Sequence, residues 1–103
     1  MSERLQKLQK MLEAEPNDTF LLYAIALEMK KAEQLPAALE YLTRVIAIDP
    51  GYCYAYHQKG LVYEQQGDLN SAKQAYREGI AAAERKGDAH ARDEIAGALS
   101  MVD

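Results

Sequence analysis

Cys53 and His57 are the one thiol–imidazole pair in this chain that could do chemistry together. They stand four positions apart in CYAYHQKG. On a helix that spacing puts both on one face, where a thiolate–imidazole pair or half of a metal site could form. No further cysteine or histidine completes the set nearby, and metal sites need three or four ligands. His90 falls among charges at the start of the last apolar segment, where a solvated side chain is expected. Asp88, Asp93 and Glu94 lack the spacing of a calcium loop and read as an acidic helix start, which the helix dipole favours. Glycine-rich phosphate loops are absent. No catalytic residue, metal or cofactor is therefore expected.

Recognition is the other chemistry these side chains offer. Phe20, Tyr23 and Leu27 recur at three- and four-residue intervals, as do Tyr54, His57 and Leu61. At about 100° per residue, the first set lies roughly 130° around its helix from the face carrying Leu22 and Met29. Lys30, Lys31, Gln58, Glu64 and Gln65 flank the two sets. Tyrosine and phenylalanine give large contact area at low entropy cost. Such a stripe either receives a partner or is buried by neighbouring helices or a second copy of the chain.

Helices must position these residues, since helical periodicity runs through every segment and nothing alternates like a strand. Leu5, Leu8 and Leu12, with Met11 beside them, mark a helix over 2–15 that Pro16 stops. Asp18 caps a second helix reaching about Ala32. Pro36 suits the first turn of a third, which runs to about Ile48 with Ala38, Leu42, Val45 and Ile46 inward. Asp49-Pro50-Gly51 breaks it. Helices over about 53–66 and 70–86 follow, broken at Gly67-Asp68. Gly87 takes a left-handed position, and Asp88 caps a last helix whose stripe is Ala91, Ile95, Ala98, Leu99 and Val102. Gly97 weakens that helix slightly. Tyr56, Tyr63 and Tyr76 are read as core.

Composition sets the outer limits. With 103 residues, 49% of them hydrophobic, the chain is a single packed domain rather than a disordered one. A net charge of −4, with no basic cluster beyond Lys30-Lys31 and Arg85-Lys86, argues against nucleic acid. There is no apolar run of membrane-spanning length, and the opening MSERLQKLQKM lacks a signal region. Cys53 is alone, which fits a reducing compartment and a cytoplasmic location.

A repeat organises all of this. Pro16 and Pro50 stand 34 positions apart, as do Leu22 and Tyr56, Ala26 and Gly60, Met29 and Tyr63, Ala38 and Ala72, and Leu42 and Tyr76. Each pair matches in size class and helix face. A 34-residue period with two helices per unit resembles the tetratricopeptide repeat. Tyr56, Gly60, Tyr63, Gly67-Asp68, Ala72 and Tyr76 fit the pattern in the second copy. Leu22, Ile25, Ala26, Met29, Ala38, Leu42 and Pro50 fit it in the first. Three positions depart. Lys59 replaces the usual Leu, so its site should be looser. Glu33 replaces the loop Gly, at about 1–2 kcal/mol if the backbone is left-handed there. Glu84 replaces the second closing Pro, so that helix should run a turn longer.

The resemblance implies an all-α, antiparallel helix-turn-helix array, a right-handed superhelix counted at five helices. Its parts are an N-terminal helix over 1–16 like half a repeat, repeats at 19–52 and 53–86, and a capping helix over 88–102. The end helices cover faces the repeats would otherwise expose. It also implies a non-enzymatic scaffold. Phe20, Tyr23, Leu27, Lys30, Lys31, Tyr54, His57, Gln58, Leu61 and Glu64 would line a concave groove for a protein or peptide partner. The family's carboxylate clamp uses Lys and Asn, whereas the corresponding places here carry Tyr23, Leu27 and Gln58. A more apolar ligand is expected: a short helix, an aromatic-containing extended segment, or another protomer in a homodimer.

Overall fold

The computed structural model describes residues 2–103. Six helices follow one another: α1 Glu3–Ala14, α2 Thr19–Lys31, α3 Leu35–Ile48, α4 Cys53–Gln65, α5 Leu69–Lys86 and α6 Ala89–Val102. There are no strands among the described residues. The expected count of five is corrected to six. Two units supply four helices, and each open end of the array exposes an apolar face that takes a helix of its own.

Local chemistry sets the helix ends. The side chains of Ser2, Asp18, Asp68 and Asp88 each accept the backbone N–H three residues on, satisfying amides left free in the first turn. Pro36 sits in the first turn of α3. Three helices close the same way, through a left-handed residue. After α2 the Gln34 amide donates to the Met29 carbonyl, after α4 Asp68 donates to Tyr63, and after α5 Asp88 donates to Ala83. The left-handed residues are Glu33 (φ 60°), Gly67 (φ 78°) and Gly87 (φ 75°). Glu33 thus bears the steric strain that glycine avoids at the matching Gly67. With no proline at Glu84, α5 runs on to Lys86, as expected.

Packing follows the repeat. The α2–α3 and α4–α5 pairs each form a helical hairpin, α1 packs on α2, α3 meets α4, and α6 packs on α5. One buried cluster joins Leu5 and Leu8 to Leu22, Ile25, Met29, Ala38, Leu42 and Val45. A second joins Cys53, Ala72, Tyr76, Ala83, Ala91 and Ile95. Tyr56 and Tyr76 are buried, whereas Tyr63 is only partly so. Met11 stays exposed on α1. Small residues let α4 and α5 approach. A Cβ on Gly60 would lie 2.1 Å from Cε1 of Tyr76, and one on Gly79 would lie 2.8 Å from Cβ of Tyr56. Gly79 is a contact that the repeat comparison did not single out.

Candidate functional site

The residues that could do chemistry separate in three dimensions. Cys53 is buried, and its Sγ–H donates to the Gly51 carbonyl at 3.3 Å. The His57 ring instead meets the edge of Tyr76, with centroids 6.0 Å apart and planes at 72°. Burial holds the imidazole below its usual pKa. Lys30 pushes the same way, while Glu94 and Glu64 oppose it. Among the described residues, no three His, Cys, Asp or Glu side chains gather as a metal site would require.

The recognition stripe runs along α2 and α4, from exposed to half-buried side chains. Phe20 is 68% exposed and Tyr54 36%. Tyr23, Leu27, Lys30, His57, Gln58 and Leu61 are half-buried, and Lys31 is exposed. Lys30 Nζ donates to Gln58 Oε1 at 2.9 Å, a bond that ties α2 to α4 across the stripe. Desolvation there lowers the Lys30 pKa. Glu64 faces elsewhere, because its carboxylate accepts the Tyr76 hydroxyl within the α4–α5 hairpin. Burial first, and Glu64 second, push the Tyr76 phenol well above its ordinary range.

Two hollows open along this surface. In the first, about 220 Å³, Tyr23 and Tyr54 are joined by Tyr52, Cys53, Lys86 and Asp88. The Tyr23 and Tyr52 rings lie 5.1 Å apart, tilted by 37°. The Tyr23 phenol is raised by burial and then by Tyr52, so it stays protonated at neutral pH. The second hollow, about 390 Å³, is lined by Leu27, Lys30, Lys31, Glu33, Gln58 and Gln65. Phe20, His57, Leu61 and Glu64 line neither.

Residues 54–86 match the sequence family described as the tetratricopeptide repeat. A TPR repeat-containing protein of Pseudomonas aeruginosa is 29% identical over 96% of this chain and 94% of its own. A solution structure of a Bordetella parapertussis protein superposes with a TM-score of 0.85 at 29% identity, covering 99% of this chain and 89% of that one. Residues 54–86 carry the match to the tetratricopeptide repeat, and the chain as a whole is similar to a tetratricopeptide-repeat protein. The Sgt2 TPR domain of Aspergillus fumigatus is also similar, with a TM-score of 0.78 and 26% identity over 95% of this chain and 62% of that one.

Within this helical array, sequence reasoning missed Tyr52, Cys53, Lys86 and Asp88 as wall residues of the tyrosine cleft. Tyr52 precedes α4, Asp88 precedes α6, and Lys86 is the last residue of α5. Helical periodicity cannot place the two loop residues, nor say where a residue at a helix end meets another helix. The one available signal was the run YCYAY, whose first tyrosine is adjacent to the stripe in sequence.

Proposed function

We propose that this chain is a non-enzymatic adaptor whose concave stripe holds a peptide or a short helix of a protein partner. Tetratricopeptide repeats generally serve as interaction modules, and stacked helical repeats present extended concave binding surfaces. The observation that carries the reading is the exposure of Phe20 on α2 and of Tyr54 in the wall of the first hollow. Large apolar side chains left in water near half-buried tyrosines make an anchor site whose occupation would remove them from solvent. We assign the groove to Phe20, Tyr23, Leu27, Lys30, Lys31, Tyr54, His57, Gln58 and Leu61, and leave out Glu64, whose carboxylate is held by the Tyr76 hydroxyl. The array acts as a single unit, with repeats at 19–52 and 53–86. A reducing, cytoplasmic setting suits its lone buried thiol. No helix among the described residues is long and apolar enough to cross a membrane.

The test starts from peptides selected on the whole chain from a random library. Their affinities are then measured against Phe20→Ala and Tyr54→Ala. Both variants should keep the parent melting curve while binding weakens about tenfold or more. Unchanged binding by folded variants would refute the groove. Tyr23→Ala is the poorer probe, because that ring also packs on the core.

A second reading rests on Met101, 84% exposed on α6, and Met11, 54% exposed on α1. Apolar side chains on the end helices would suit a homodimer. Light scattering across a dilution series separates the readings, since an apolar dimer dissociates on dilution and responds little to salt.

A further inference from the structure

We propose that the cleft between Tyr23, Tyr52 and Tyr54 receives an arginine side chain of the partner segment. This rests on the groove reading above and specifies the chemistry of one part of it. The cleft is about 220 Å³, suited to a side chain rather than a cofactor. Three tyrosines line it, and aromatic faces carry the negative charge density that attracts cations.

Carboxylates add to that field. Asp88 forms part of the wall. Glu94 on α6 and Asp88 both act electrostatically on Tyr54, and Asp49 acts on Tyr52. One oxygen of Asp88 caps α6 by accepting the Ala91 amide at 3.0 Å. Its second oxygen can accept from a guanidinium. Lys86 is the cation of the lining and opposes the others, but its Nζ points at the Gly51 carbonyl, 3.4 Å away. Arginine suits the cleft better than lysine. Its planar, weakly hydrated guanidinium stacks on rings while its edge pairs with a carboxylate.

The experiment is an NMR titration of the ¹⁵N-labelled chain with N-acetyl-arginine amide, with its neutral isostere N-acetyl-citrulline amide, and with N-acetyl-glutamate amide. The arginine probe should shift the amides of Tyr23, Tyr52, Cys53, Tyr54 and Asp88, and bind roughly tenfold more tightly than citrulline. Asp88→Asn keeps a good helix cap and removes the charge, so it should reduce that preference, as should high salt. Equal binding of citrulline would overturn the proposal. So would a preference for glutamate, which would put Lys86 in control, or the absence of shifts at these amides with every probe. The groove reading fails separately. Selected peptides that lack arginine yet lose affinity with Tyr54→Ala would leave the groove standing and remove the cation from it.

Discussion

Replacing Gly60 by alanine tests the packing on which the second repeat depends. Gly60 is buried in the middle of α4, where alanine would ordinarily favour the helix by about 1 kcal/mol. Here the added Cβ would lie 2.1 Å from Cε1 of Tyr76 and 2.5 Å from its Cδ1 and Cζ. Real contacts of a Cβ do not come that close, so the ring has to move. Tyr76 is fully buried, and its hydroxyl donates to Glu64. Shifting the ring overpacks the hairpin, at about 1–3 kcal/mol. It also strains or breaks a hydrogen bond to a carboxylate, worth about 1.5–3 kcal/mol. Against the helix gain, the net loss is about 1.5–5 kcal/mol. That is a large share of the roughly 5–15 kcal/mol that holds a domain together, and each kcal/mol lost lowers the melting temperature by about 4–8 °C. Urea unfolding followed by circular dichroism measures it. Gly97→Ala is the control: that glycine is exposed on α6, and its Cβ meets nothing within 4 Å. The same change there should stabilise by about 0.5–1 kcal/mol. The Gly60→Ala/Tyr76→Leu double variant should recover part of the loss through a nonzero coupling energy. A Gly60→Ala protein as stable as its parent would refute the close approach of α4 and α5 at this point.

Three further outcomes are expected. Glu33→Gly should stabilise by about 1 kcal/mol in urea unfolding, because it relieves a left-handed glutamate in the turn where the other repeat has Gly67; a destabilised variant would mean the side chain contributes more than its backbone costs. Ala38→Leu and Ala72→Leu should each cost about 1–3 kcal/mol, since both side chains are fully buried between helices; losses below about 0.5 kcal/mol at both sites would refute the helix pairing. For His57, burial lowers the folded pKa beneath its ordinary value. The unfolded chain therefore binds the proton more readily, near pH 6.5. The stabilisation from a neutral His57 is fully present above that pH and is lost as pH falls through the lower folded value. Unfolding measured from pH 7.5 to 5 should show this loss, and His57→Gln should flatten it; an unchanged slope in the variant would assign the dependence to other groups.

Much of the architecture is legible in the sequence. The 34-residue pairing of Ala26 with Gly60 and of Leu42 with Tyr76 placed equivalent side chains on equivalent faces, and all four are buried. Asp18 and Asp88 announced helix starts because capping is a local bond between a side chain and an amide three residues on. The left-handed turn at Glu33 was legible from its alignment with Gly67. The stripe residues were less legible. Periodicity gave their side of the helix, yet it could not say that Glu64 would turn to the Tyr76 hydroxyl or that His57 would rest against the same ring.

The sequence by itself determined the helical segments, the caps at Asp18 and Asp88 and the repeat that packs the helices, because these depend on spacing within a few turns and on one period along the chain. Only the tertiary structure decided which side chains share a hollow. Tyr52 from a loop, Tyr23 from α2 and Asp88 from the α5–α6 junction converge on one cleft. Gly79 also became a point of contact only when α5 lay against Tyr56 and Ile95. These groups are distant or irregularly spaced in sequence. Their meeting depends on how each helix is placed on the next, and no local periodicity encodes that.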